Sequence, residues 1–295
     1  MKIDDTKCAP GKTFTEGSCI NKNILIEIAN NFNKHDNVNI NTSNNKLGII
    51  QELNNNFKKK YKCTDQICWL SQKFVKTMNN NELNKYTFRP IGPSKKYDWL
   101  STNNINDVIE QYEKNYNDFL FLGTVPYDFM DLSILEFDKL DFEEMCKDNI
   151  HKLGLVINLD THNQPGSHWV ALYANLKDSQ VYFFDSFAKK PGKRIKKFIN
   201  KIIRYLYFKT YKKKININNI VKNLKNNEKN NYIENLNNFD IRYNKIQHQF
   251  KNSECGIYSI NFILRLLKGE DFDYITKNVT SDNEINKCRK IYFSN

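Results

Sequence analysis

Three stretches near the start of the chain, residues 24–29, 47–53 and 68–75, carry apolar residues at helical spacing and read as short helices, the last with a period of about 3.6 residues. Asn and Lys dominate the sequence around them. Pro90, Gly92 and Pro93 then interrupt any regular element, because this combination can continue neither a helix nor a central strand. The domain junction is expected there, with a helical N-terminal arm over residues 1–90 and a second domain over residues 91–295.

Beyond the break the pattern changes. Asn103, Asn104 and Asp107 supply caps for a periodic helix that runs to Tyr112. Residues 119–123 form a compact apolar run suited to a strand, and residues 153–159, 168–174 and 180–185 are three more, separated by turn residues, that look like the centre of a sheet. Residues 192–209 read as a long amphipathic helix with Ile195, Phe198, Ile199, Ile202, Ile203 and Leu206 on one face and Lys and Arg on the other. Residues 223–238 are Asn-rich and poor in apolar side chains, which fits an exposed loop or insertion. Residues 239–246 alternate like an edge strand, and from Gly256 a last helix places Ile257, Ile260, Ile263, Leu264 and Leu267 on one face before Gly269 stops it.

Composition narrows the class. With 40% apolar and 13% aromatic residues the chain can offset the ordering entropy of a core, so a fully disordered protein is excluded. No apolar stretch approaches the ~20 residues of a membrane span, and the acidic Asp4 and Asp5 stand where a secretion signal would be basic; a soluble protein without membrane contact is expected. Seven cysteines, an odd number in a long chain, favour reduced thiols with at least one free. Cys63 and Cys68 lack the further ligands of a zinc site, so no metal is expected. The 45 Lys and Arg against 33 Asp and Glu give +12, with much of the excess in Lys/Asn tracts such as residues 54–60 and 211–214. The simplest account is a solvated surface, though such a chain also has some sequence-independent attraction to nucleic acid at low salt.

The candidate chemistry gathers around one thiol. Cys255 sits at a helix start, where unpaired N–H groups and the macrodipole favour a thiolate. His168 follows the turn 164–167 and opens a strand, so its ring can project from the sheet's end, and a hairpin turning near Asp178 brings Asp185 beside it. Gln249, six residues before Cys255, can aim its amide at the same oxygen as the Cys255 backbone N–H. Asn158 is a polar residue in an apolar strand, either tying a loop down or lining a substrate cleft, and His248 reads as a surface residue.

The segments Gly166-Ser167-His168-Trp169, Phe183-Phe184-Asp185-Ser186 and Gln249 with Glu254-Cys255-Gly256 resemble the adenovirus-protease and SUMO/ubiquitin-like-protein-protease superfamily over residues 150–268, about 40% of the chain. With Cys8, Cys19 and the stretch to Trp99, the chain is most similar to the polyprotein proteases of large DNA viruses, of the African swine fever virus type. The resemblance implies an α+β, papain-like cysteine protease core with a central mixed sheet flanked by helices. It implies Cys255 as nucleophile, His168 as base, Asp185 as its orienting partner, Gln249 at the oxyanion and Trp169 lining a tunnel that admits only Gly-Gly before the scissile bond. It implies no cofactor, polypeptide substrates with Gly-Gly-Xaa sites, and a workplace in the host cytoplasm and the virion. Two alternatives stay open: a deconjugating protease for ubiquitin-like proteins, and a basic nucleic-acid- or virion-binding protein on a protease scaffold. The oligomeric state is left open.

Overall fold

The computed structural model describes residues 8–78, 83, 87–214, 216 and 239–294. The insertion expected over residues 223–238 lies outside the described residues. The chain divides into two compact units, Met1–Gly92 with Lys290–Asn295 and Pro93–Arg289.

The first unit is helical. Helices α1 (Lys22–Asp36) and α2 (Lys46–Tyr61) are followed by the short α3 (Gln66–Ser71) and α4 (Lys73–Lys76). The single helix expected over 68–75 is thus two, because Gln72 is extended (φ −70°, ψ 138°) and caps the second. Asn45 and Asp65 cap α2 and α3 by accepting from Gly48 N and Cys68 N. The core stacks Phe57 on Trp69 at 5.1 Å and sets Phe32 edge-on to Phe57 at 4.7 Å. The expectation of reduced thiols fails here. Cys8–Cys19 and Cys63–Cys68 are disulfides, while Cys146, Cys255 and Cys288 form none. Counting cysteines reveals one unpaired thiol but not the local geometry that brings the other four together at sequence separations of 11 and 5.

The second unit is α+β. Helix α5 (Thr102–Glu113) is closed at its start by a capping box between Ser101 and Asn104. It leads to strand β1 (Phe119–Val125), helix α6 (Phe142–Lys147) and strands β2 (Lys152–Asn158), β3 (Trp169–Asn175) and β4 (Gln180–Phe184). Helix α7 (Lys193–Tyr211) precedes β5 (Asp240–Tyr243), and the unit continues through α8 (Cys255–Leu267), α9 (Phe272–Lys277) and α10 (Asp282–Lys287). The sheet order is β1-β2-β3-β4-β5, antiparallel at the centre and parallel at both outer pairs. β5 is an edge, as its alternation indicated.

The three central strands are apolar along their middles, without alternation, because both faces of the sheet are covered. Leu155, Ile157, Val170, Leu172, Val181 and Phe183 pack with the apolar face of α7. On the other face Phe184 stacks on Phe262 of α8 at 4.8 Å, and Gly154 leaves room for Phe119 and Ile263. Helix α8 is buried along nearly its whole length. No helix among the described residues is long and apolar enough to cross a membrane.

Candidate active site

Helix α8 starts at Cys255, which is buried, and its preceding residue Glu254 gives no side-chain cap. The Glu254 carboxylate is instead drawn away by Arg289 Nε at 3.1 Å and Asn286 Nδ2 at 2.9 Å. The Glu254 carboxylate therefore does not cap the first-turn N–H groups of α8, which leaves their partial positive charge to the cysteine.

His168 and Asp185 flank the hairpin formed by β3 and β4, one residue before the first strand and one after the second. His168 Nε2 lies 2.7 Å from Asp185 Oδ1, and both residues are buried. Asp185 is fixed twice over: its Oδ1 also accepts the Phe187 N–H at 2.8 Å, and its backbone exchanges hydrogen bonds with the Asn244 side chain at 2.9 and 2.7 Å. The Phe187 ring lies 4.7 Å from the imidazole. Burial by itself would favour neutral imidazole. The hydrogen bond to Asp185, the hydrogen bond to the Cys255 side chain and the negative charge of both outweigh it, and raise the His168 pKa from 6.5 to about 9. The sequence-predicted cysteine, histidine and aspartate are thus brought together in one buried cluster.

Gln249 is fully buried and tied to the same hairpin end. Its Oε1 accepts from Ser186 Oγ at 2.6 Å, its backbone N–H donates to Ser186 O at 3.0 Å, and its Nε2 donates to Lys251 O at 2.6 Å. Gln247 is exposed and donates to Gln249 O at 2.7 Å. His248 is not the surface residue expected. It is buried against Phe184, with Nε2 3.1 Å from Thr276 O, and burial pushes its pKa down.

Asn158 and Trp169 face each other across the ends of β2 and β3. Asn158 Oδ1 accepts from Asp160 N at 2.9 Å and Ser167 N at 3.1 Å, so it ties down the turn that delivers His168, and it also borders a cleft of about 560 Å³. Trp169 lines that cleft, its indole N–H donating to Leu100 O at 3.0 Å. Leu100 in turn sits on Gly256, where a Cβ would lie 3.1 Å from the leucine side chain. The half-exposed Trp99 borders the same cleft. Sequence reasoning named Trp99 only as the end of a stretch, with no role, and did not single out Asn244; the signal for the first is an aromatic two residues before the capping Ser101, while nothing near Asn244 marks it. A second pair, His162 Nδ1 with Asp128 Oδ2 at 2.6 Å, pins the β2–β3 turn to the chain after β1 at the cleft rim.

A thiol at a helix start, beside a buried histidine–aspartate pair, is an arrangement of the cysteine protease class. Residues 149–294 match the model of the Ulp1 protease family, C-terminal catalytic domain. A chain of Acanthamoeba polyphaga mimivirus, named as a thiol protease, is 32% identical over 306 residues, 98% of this chain and 93% of its own length. A cysteine protease of African swine fever virus is 21% identical over 223 residues, 70% of this chain and 71% of that one. A crystal structure of an African swine fever virus protease superposes with a TM-score of 0.62 at 16% identity, covering 98% of this chain and 96% of that one, a likeness of fold. The protein is a cysteine protease. It belongs to the Ulp1 protease family.

Proposed function

We propose that the protein is an endopeptidase that cuts after Gly-Gly in viral structural polyproteins, with Cys255 as nucleophile. The observation that carries this reading is the 2.7 Å contact of His168 Nε2 with Asp185 Oδ1. With Nε2 engaged, the imidazole meets Cys255 through Nδ1 and holds the thiol's proton before substrate arrives, so the resting pair is imidazolium and thiolate. The thiolate attacks the carbonyl carbon, and the oxyanion is held by the Cys255 backbone N–H and the second Nε2–H of Gln249. The imidazolium, stabilised by Asp185, gives its proton to the departing amine. Water, deprotonated by His168, then attacks the thioester carbonyl and releases the acid and the thiol.

Gly-Gly selectivity rests on the cleft. Trp99 and Trp169 border it, and Leu100, which also lines it, packs on Gly256, the residue after the nucleophile, so a substrate strand running from the cleft toward Cys255 would meet these groups with any side chain it carried. Asn158 acts at the cleft mainly by fixing the turn that forms its wall. Residues 1–90 serve as an arm that positions long substrates, and the site of action is the infected cell's cytoplasm and the virion. The test is incubation with Gly-Gly-Xaa peptides, a viral polyprotein and ubiquitin-like precursors, with mass spectrometry of the products. Cleavage after Gly-Gly in the polyprotein supports the reading. Cleavage of the ubiquitin-like precursors alone transfers it to a deconjugating role, and no cleavage after Gly-Gly in any of them refutes it.

A further inference from the structure

The positive charge of this chain is concentrated. Residues 186–214 contain twelve Lys and Arg and no Asp or Glu, so this one segment carries a formal charge as large as the whole chain's excess of +12, and the 33 Lys and Arg elsewhere, basic tracts such as 54–60 included, are balanced in number by the 33 Asp and Glu. Its centre is α7, whose apolar face is buried against the sheet.

The cations of α7 have different duties. Lys201 donates to Phe137 O and Asp138 O at 2.8 and 2.7 Å, and Lys209 to Leu176 O at 3.1 Å, so these two serve the fold. Arg194 and Lys197 share Asp131 at 2.8 and 3.3 Å. Lys193, Lys196 and Arg204 are exposed and meet no carboxylate among the described residues. Lys193, Lys197 and Arg204 fall on one side of the helix and line, with Lys196 and Tyr127, a groove of about 1040 Å³. From the first to the last of them the helix rises about 17 Å, the length of ~5 phosphates along one nucleic-acid strand.

We propose that this face docks the phosphodiester backbone of a nucleic acid, without reading its sequence. A protein partner would need desolvated aromatic or aliphatic anchors, and interface cores are depleted of Lys. This groove offers instead a row of cations, and its Tyr127 ring already lies under Arg194 at 5.5 Å. Pro126 borders the cleft and Tyr127 the groove, and the two openings share no lining residue, so a bound nucleic acid leaves the cleft open.

The experiment is fluorescence anisotropy of the full chain with a labelled random-sequence duplex of about 20 base pairs, over roughly 50 to 200 mM salt. The variant Lys193→Glu/Lys196→Glu/Arg204→Glu should lose at least about tenfold in affinity, and its log–log salt slope should fall by ~2–3, while short-peptide cleavage is unchanged. Lys34→Glu/Lys58→Glu/Lys59→Glu makes the same charge change in the other unit and should retain binding. If the first variant melts early, Lys193→Gln/Arg204→Gln should still lower the slope by about 2. Equal losses in both triple variants would reduce the effect to net charge and overturn the proposal. So would an unchanged slope in the groove variants, or displacement of the duplex by poly-glutamate at equal charge concentration.

Discussion

His168 Nε2 and Asp185 Oδ1 are 2.7 Å apart in a buried site, and the same oxygen also accepts the Phe187 N–H at 2.8 Å. One carboxylate oxygen thus orients the imidazole and closes the turn after β4. Cys255→Ala and His168→Ala should each abolish turnover with the fold intact. Asp185→Asn should be milder, because the amide oxygen can take both N–H groups, and its loss in kcat should stay well short of the ~10⁴-fold seen when an orienting aspartate is lost elsewhere. Asp185→Ala should be worse than Asn, since it leaves two buried donors unpaired. Single-turnover assays with thermal melts check the series, and an asparagine variant as inactive as Cys255→Ala would remove the orienting role.

The raised His168 pKa sets a pH limit. A histidine at about 9 in the fold against an ordinary value of 6.5 stabilises the fold through its charged form. That contribution is complete below 6.5 and is lost as pH rises through about 9. Because the leaving amine needs a proton from the same imidazolium, kcat/KM should also fall through about 9. Asp185→Asn, which removes a charge that favours the imidazolium, should move this limb to lower pH. An alkaline limb unmoved in Asp185→Asn would assign the titration to another group.

Gln249 is held by Ser186 and Lys251, so its role can be split from its anchoring. Gln249→Ala should lower kcat by ~10²–10³ with little change in KM, the effect of losing one oxyanion donor. Ser186→Ala removes only the 2.6 Å anchor and should cost much less. Equal losses in the two variants would mean that Gln249 acts by holding the loop.

Gly256 tests the cleft wall. A Cβ there would come within 3.1 Å of Leu100, whose carbonyl holds the Trp169 indole. Gly256→Ala should therefore shift Trp169 and lower kcat/KM for Gly-Gly peptides, and adding Leu100→Ala should restore part of it. A double variant no better than the single one would separate Leu100 from the defect.

Much of this was legible in the sequence where one residue type answers to one physical demand. The runs of β2 to β4 are apolar without alternation because both sheet faces are covered, the β3–β4 hairpin joins His168 to Asp185, and one short loop joins Gln249 to Cys255 at the start of α8. What stayed hidden depends on partners distant in sequence. Asn244 reaches Asp185 across 59 residues, and His248 is buried by Phe184 and Thr276, which no local pattern announces. The break at Gln72 is a backbone choice that apolar spacing over 68–75 does not register. The cysteine count says nothing about which thiols the fold brings face to face.

The N-terminal region is the last test, and its boundaries matter. The first unit has its own core around Phe32, Phe57 and Trp69, and it also contains Lys290–Asn295. Phe293 is buried in it, so close beneath Gly92 that a Cβ there would fall 2.6 Å from the ring, and Ser294 N donates to Pro90 O at 3.0 Å. Removing residues 1–92 alone would strip Phe293 of its partners and leave apolar surface in water, so any loss of activity could come from aggregation. The informative truncation removes residues 1–92 and 290–295 together. If the arm positions long substrates, this truncation should melt cooperatively, cleave short Gly-Gly peptides at close to the full chain's rate, and lose most of its kcat/KM on the polyprotein, because contacts remote from the scissile bond act only on substrates long enough to make them. Circular dichroism before kinetics establishes the fold. Equal losses on short and long substrates in a folded truncation would mean that the first unit supports the catalytic cluster itself, and the positioning role would be wrong.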